Sequence, residues 1–471
     1  MSTTEPLFNK EYILSEMASL VGDKILASKI SCDNYISTDN MLVDRGGVEP
    51  AIKLPAATKF NHFKTSDTLF SNIRTYFRKV WLADFEGGAS PDVLIFRTND
   101  AEILDPTYLY YIISDKNFTD YTVLTAKGVK MPRGDKVAIM QYKFYLPEPD
   151  KQKSIAQTLR SLDNKIENNR KINETLEGMA QAVFKSWFVD FEPTRAKIAA
   201  LEKGGSEQDA NLAAMQAISG KSPAELELMR SSSPEAYKEL TSTAQLFPSA
   251  LQDSELGQIP DGWEVESIGD IAKARGGYAF KGKEFIDTGN PVVKIKNITG
   301  DGRVDIKNCQ CIDDDVASKA SRFKLNDGDL IMAMTGATVA KVGLVVTEGK
   351  SIYLNQRVAK FESEKFGKKI SWFLYCCFKR SEIFNLVVGA AQGSAQPNIS
   401  SNGIEATRIL LSEDALIDSF CNFVSVFFNA WIDNIEQSQT LTQTRDALLP
   451  KLLSGEIDVS DVADEIKETA S

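Results

Sequence analysis

The feature that most constrains this chain is a helical pattern that occurs twice. From about Asp150 to Phe188, apolar residues fall at Ile155, Leu159, Leu162, Ile166, Leu176 and Val183. From about Ala415 to Leu453 they fall at Phe420, Val424, Phe427, Trp431, Leu441 and Leu448. The steps alternate four and three, the spacing of a heptad seam along one helix face. Every position in the second stretch stands at an offset of 265 from its counterpart (420 − 155, 448 − 183). Both seams turn polar at matching places, Asn169 and Asn173 in the first, Asn434 and Ser438 in the second. Polar seam positions lower stability and help fix register. The same offset relates Tyr108-Leu109-Tyr110 to Phe373-Leu374-Tyr375, Gly128 to Gly393 and Pro132 to Pro397. Held all the way from Tyr108 to Val183, it marks an internal repeat, a globular part followed by a long helix. Two amphipathic helices in one chain bury both seams at once by packing on each other.

Length and charge set the outer bounds. A chain of 471 residues suits roughly three domains. No apolar run reaches the roughly 18 residues of a membrane span, and the opening MSTTEPLFNKEY has no signal-peptide core, so the chain reads as cytosolic. Of the six cysteines (Cys32, Cys309, Cys311, Cys376, Cys377, Cys421) none forms a CxxC pair, and His62 is the one histidine. No metal site is expected, and the cysteines read as small hydrophobes. A formal charge of −11 argues against indiscriminate coating of nucleic acid but leaves room for local basic patches.

Residues 1–60 carry no motif. The stretch Lys59–Trp81 then sets Lys59, Lys64, Arg74, Arg78 and Lys79 against one acid, Asp67, with aromatics interleaved. That mixture suits a surface meeting phosphates and bases, although a solvated basic face over an ordinary core uses the same residues. Strand-like runs at Val93–Phe96 and Tyr142–Leu146 flank an aromatic helix near Tyr108–Ser114. The segment Thr125–Lys136, TAKGVKMPRGDK, reads as an exposed basic loop. Residues 193–253, rich in Ala, Glu, Ser and Lys, read as linker with short exposed helices.

The second globular part counts Lys273, Arg275, Lys281, Lys283, Lys294, Lys296, Arg303 and Lys307 against Glu284, Asp287, Asp301 and Asp305. Its loop AAQGSAQPNIS at 390–400 matches the first part's basic loop but carries amides and hydroxyls, groups that read base edges and that also cap turns. Pro450 should kink or end the second helix, and Gly455 should stop it.

Catalytic chemistry is missing. Gly277–Lys283 has the spacing of a phosphate-binding loop, but Glu284 follows where Ser or Thr would hold magnesium, and the preceding DIAKAR does not read as a buried strand. No amino-methyltransferase tetrapeptide, Rossmann fingerprint or nuclease acid cluster appears. Pro91-Asp92 and Pro260-Asp261 lack the acid-x-Lys a nuclease would need. A binding and scaffolding role follows.

Five segments carry a resemblance: Ser254–Val265 (SELGQIPDGWEV), Gly276–Phe280 (GGYAF), Gly393–Ser400 (GSAQPNIS), Lys151–Ile166 (KQKSIAQTLRSLDNKI) and Leu448–Ile457 (LLPKLLSGEI). As a set, on two globular units with two long helices, they resemble the DNA-specificity subunit of Type I restriction–modification systems over about residues 60–460. The resemblance implies α/β (α+β) target-recognition domains in two copies, joined by two long antiparallel helices that form a coiled-coil spacer, an internal pseudo-two-fold repeat. The divisions expected are 1–148 for the first recognition domain, 149–192 for the central helix and 193–253 for the linker. The second domain would take 254–413, the C-terminal helix 414–455 and an acidic tail 456–471. Each domain would read half of a split DNA site.

Two methyltransferase subunits would dock on the helices, and restriction/translocase subunits would add cleavage. S-adenosylmethionine, ATP and magnesium would then sit on partners, with no cofactor on this chain and no membrane. The first half departs from the family pattern in lacking the Ile-Pro-x-Gly-Trp lead, so the halves should read different sequences. DNA contacts are expected from Asn72, Arg74, Arg78, Lys127, Lys130 and Arg133 in the first domain. In the second they are expected from Lys281, Lys283, Lys294, Asn297, Thr335, Gln356, Gln392, Ser394, Gln396 and Asn398. The cations suit phosphates and the amides suit base edges. Two other classes remain open, a coiled-coil assembly protein and a stand-alone DNA-modifying enzyme.

Overall fold

A computed structural model describes residues 10–128, 130–300, 302–391 and 397–462. It divides into two compact units, Met1–Glu167 with Thr440–Ser471, and Asn168–Gln439. Each of the two long helices, Pro149–Phe188 and Asp414–Ser454, contributes residues to both units.

In the first unit one four-stranded antiparallel sheet runs Ala18–Leu20, Val93–Thr98, Thr68–Ser71, Val80–Leu82. The apolar run at Val93–Phe96 lies in the middle of it and is buried, as a strand covered on both faces requires. A second sheet runs Lys24–Leu26, Lys59–Phe63, Gly87–Ala89, Tyr35–Ile36, its last pair parallel. The helix Pro106–Ser114 starts with proline in its first turn, and Asp105 Oδ1 accepts from the Thr107 and Tyr108 amides, both at 2.9 Å, a cap that satisfies otherwise orphaned donors. Its Tyr108, Leu109 and Tyr111 join Phe70, Phe96, Ile155, Leu159, Leu162, Leu448, Leu449 and Leu452 in one core.

The second unit repeats the antiparallel sheet and three strands of the second sheet, whose fourth strand lies on the opposite edge. Its antiparallel sheet runs Lys273–Gly276, Val358–Glu362, Leu330–Ala333, Val342–Leu344, and its mixed sheet Gln310–Ile312, Asn290–Val293, Ile352–Leu354, Lys324–Leu325. Strands beginning at Lys59, Gly87, Val93 and Lys143 recur at Lys324, Ile352, Val358 and Arg408, all at the offset the helix seams show. The spacing found in the sequence is a spacing of strands.

Within each unit the two long helices run antiparallel. In the first unit Lys151 Nζ lies 2.7 Å from Asp458 and Arg445 Nη1 2.6 Å from Asp163. In the second unit Asn169 Nδ2 donates to Gln437 Oε1 (2.8 Å) and Ser438 Oγ (3.2 Å), Asn173 Nδ2 to the Trp431 carbonyl (3.0 Å), and Asn434 Nδ2 to Asn173 Oδ1 (2.8 Å). The polar seam positions thus meet as one hydrogen-bonded layer. Ile155, Leu159, Leu162, Phe420, Val424, Trp431 and Leu448 are buried, whereas Ile166, Leu176, Val183, Phe427 and Leu441 are half-buried. Near the end of the first helix the buried face passes to Ala180, Phe184 and Trp187, because a 3.6-residue helix drifts from a strict heptad. Phe184, Trp187 and Phe188 close around Phe420, with ring centroids 5.6, 5.8 and 5.3 Å from it.

Two expectations change. The helix continues through Pro450 to Ser454, and Gly455 follows with φ 74°. Residues 193–253 are not an exposed linker. They form helices Glu192–Glu202, Glu207–Ser219, Pro223–Ser232 and Pro234–Gln245, and Ala214, Met215, Ile218, Leu226, Leu240, Ala244 and Phe247 belong to the second unit's core. Residues 1–60 contain strands of two and three residues. By length and composition alone the second long helix could cross a membrane, yet its Leu416, Ile417, Phe420, Cys421, Val424 and Phe428 are inside the unit's core.

Candidate nucleic-acid interface

In the second unit five segments meet at one end of the antiparallel sheet. The strand Leu330–Ala333 runs on to Met334, whose amide donates to the Arg357 carbonyl (3.0 Å) and whose carbonyl accepts from Ile399 (2.9 Å). The Gly336 amide donates to the Pro397 carbonyl (2.9 Å), and Thr335 bridges Asn398. On the other side of the turn at 355–357, Tyr278 N donates to Leu354 O (2.8 Å) and Gln356 N to Tyr278 O (3.0 Å). The Asn355 amide donates to Val293 O (3.1 Å), which brings Lys294 alongside. A Cβ added to Gly277 would lie 2.1 Å from the Leu354 carbonyl oxygen, so only glycine allows this approach.

The fold therefore gathers Lys281, Lys283, Lys294, Thr335, Gln356 and Asn398. Lys281, Lys283, Gln356 and Asn398 are exposed, and Thr335 is half-buried. Lys294 Nζ donates to Gln310 (2.6 Å) and lies 3.3 Å from the Phe285 ring centroid. Burial, with Lys296 nearby, lowers its pKa. Asn297 is a correction: it is 1% exposed, its Oδ1 accepting from Lys294 N (3.0 Å) and its Nδ2 donating to Asp305 O (3.1 Å), so it braces a turn. Gln392, Ser394 and Gln396 lie outside the described residues.

The first unit builds the same junction. Asn72 N donates to Asp92 O (2.9 Å), Gly134 N to Asn72 O (3.1 Å) and Arg74 N to Pro132 O (2.9 Å), while Arg133 bridges Ile73 and Lys127. Arg74, Lys127, Lys130 and Arg133 are exposed. Lys127 pairs with Asp135 (2.5 Å), and Arg133 with Asp92 (3.1 Å). Asn72 and Arg78 are corrections. Asn72 is buried and its Nδ2 donates to Gly134 O (3.1 Å). Arg78 turns inward to Asp44 (3.1 Å) and the Ser114 carbonyl (3.2 Å), and burial lowers its pKa. Arg74 and Arg78 both take φ 50°, the left-handed region, where a tight turn between them forces the backbone.

Sequence reading missed Arg357, exposed at the turn in the second unit, and Asp92, which holds Arg133. Their offset of 265 was the available sign. The glycine-rich segment at 277–283 offers no phosphate cradle, because Gly277 and Tyr278 already donate to Val358 and Leu354. Among the described residues no group of three or more His, Cys, Asp or Glu side chains could hold a metal ion. The arrangement presents cations and amides on loops braced by a sheet.

A family described as "Type I restriction modification DNA specificity domain" matches residues 8–178 and 260–412. The specificity subunit of the Type I restriction enzyme HindI from Haemophilus influenzae is 28% identical over 464 residues, 95% of this chain and 99% of that one. The MjaIX specificity subunit from Methanocaldococcus jannaschii is 26% identical over 359 residues, 75% of this chain and 70% of that one. A crystal structure of a Type I restriction–modification S subunit from M. genitalium superposes with a TM-score of 0.52 at 14% identity, covering 96% of this chain and 98% of that one, a likeness of fold.

Proposed function

This chain belongs to the Type I restriction–modification DNA-specificity family, as a non-catalytic specificity subunit, and from that premise we propose how it works. Each unit reads one half of a split DNA sequence through its strand-end junction. The long helices, about 60 Å each at 1.5 Å per residue, act as a coiled-coil spacer that sets the gap between half-sites. Their exposed sides dock two methyltransferase subunits, and restriction/translocase subunits complete the assembly. Adenine methylation with S-adenosylmethionine, and ATP- and magnesium-dependent translocation and cleavage, belong to those partners. The setting is the cytoplasm, where the DNA is.

The observation that carries this reading is the repeated junction. The same backbone bonds hold Asn72–Asp92–Gly134 in one unit and Met334–Arg357–Ile399 in the other, while the exposed side chains around them differ. A shared frame with different side chains suits two different half-sites.

The test is to map adenine methylation by single-molecule sequencing in cells carrying this chain with its methyltransferase. The expected result is a split motif with a fixed gap that disappears when this gene is deleted. An active partner without a split motif would contradict the proposal and favour an assembly role.

A further inference from the structure

We infer that base choice in each half-site is set by a facing pair, Asp92 with Arg133 in the first unit and Arg357 with Asn398 in the second. The inference rests on the half-site reading above. The turns Ser90-Pro91-Asp92 and Asn355-Gln356-Arg357 occupy equivalent places in the repeat and are built alike. Asp92 N donates to Ser90 Oγ and Arg357 N to Asn355 Oδ1, both at 3.3 Å. The carbonyl of the third turn residue accepts from Asn72 in one unit and Met334 in the other. The backbone is therefore pinned on both sides of that residue, and its side chain is left to vary. Opposite it stands the loop position that bridges Ile73 or Thr335, occupied by Arg133 or Asn398.

The side chains at these two positions divide the work differently. In the first unit Arg133 Nη2 lies 3.1 Å from Asp92 Oδ1, with side chains 58% and 35% exposed. A pair so open to water adds little to folding, but it does orient a guanidinium. With one Nη held by the carboxylate, the remaining N–H groups face outward as a fork that matches guanine O6 and N7. Asp92 is then a positioning residue and Arg133 the reader. In the second unit the arginine sits on the turn. Arg357 is exposed and makes no ion pair among the described residues, and the loop position facing it carries the amide of Asn398, a group suited to adenine N6 and N7.

The experiment uses the full chain expressed with its methyltransferase, mapping methylated sequences for Asp92→Asn, Arg133→Gln, their double variant and Arg357→Gln. Arg133→Gln and Asp92→Asn should each relax the same guanine-containing base pair of one half-site by about tenfold, leaving the other half-site and the gap intact. The double variant should lose no more than Arg133→Gln alone, because the two act as one unit. Arg357→Gln should relax a base pair of the other half-site. Unchanged preference in these variants, or Asp92→Asn and Arg133→Gln acting on different base pairs, would overturn the assignment. If a variant abolishes methylation, binding of its purified methyltransferase complex to the cognate duplex and singly substituted duplexes decides. Selective loss at one base pair supports the inference, and equal loss across all duplexes overturns it. A wild-type complex with no split motif would remove the half-site reading itself, whereas an unaltered split motif in the variants removes only these residue roles.

Discussion

Side-chain chemistry in this chain is decided by partners distant in sequence. Asp163 accepts from Arg445 Nη1 and from the Tyr111 hydroxyl, both at 2.6 Å, and Arg445 and Asp163 are 5% and 11% exposed. Removing one member of a buried pair strands the other, so Asp163→Ala should cost about 3 kcal/mol in the urea unfolding of the chain. A cost under about 1 kcal/mol would mean that water replaces the carboxylate. Lys151 Nζ, bonded to Asp458 (2.7 Å), holds that carboxyl down at about 2 from its ordinary 3.8. A depressed folded pKa stabilises above the unfolded value and is lost as pH falls through the folded one. The advantage of the native chain over Asp458→Asn should therefore be full above pH 3.8 and fade toward pH 2, as read from urea midpoints across that range. The types of residue suited to binding were legible in the sequence, and their exposure was not. Arg78 resembles Arg74 in sequence, and in the fold Asp44 and Ser114 close on it. Asn72 and Asn297 are amides committed to the Gly134 and Asp305 carbonyls. Nothing near them in sequence marks that.

At the scale of elements, legibility followed length. The two long helices announce themselves because a seam repeated over many turns has few alternative readings. The four strands of two or three residues before Leu42 carry too few positions for any alternation to register. The helices between Glu192 and Gln245 read as linker because their core positions are few and mixed: Ala214, Met215 and Ile218 in one helix, Leu226 alone in the next, Leu240 and Ala244 in the last, too sparse for a strong apolar stripe. The loop at 277–283 makes its own prediction. Gly277→Ala would place a methyl group against the Leu354 carbonyl and push this loop off the turn at 355–357. Methylation mapping should then show the second unit's half-site relaxed and the first unit's retained. Loss of both together would mean that the loop serves the fold as a whole.

At the scale of the molecule, the repeat was the most legible property of all. An offset of 265 read from apolar residues recurs in the strands beginning at Lys59, Gly87, Val93 and Lys143, in helix Pro106–Ser114 against Ile370–Phe378 to within one position, and in the turn and loop partners of the junction bonds (Asp92 and Arg357, Gly134 and Ile399), whereas the strand-end partners Asn72 and Met334 stand 262 apart (334 − 72). What the sequence withheld was which side chains share a junction, because those contacts join segments as far apart along the chain as Met334 and Ile399. The central claim is that two readers share one helical spacer. Its most direct test is to insert one heptad into each long helix at facing positions of the seam and map the methylated sequence. An inserted heptad keeps the seam in phase and lengthens each helix by about 10 Å, roughly three base pairs at about 3.4 Å per pair. The account predicts both half-sites unchanged and the gap wider by about that amount. Unchanged half-sites with an unchanged gap would contradict it.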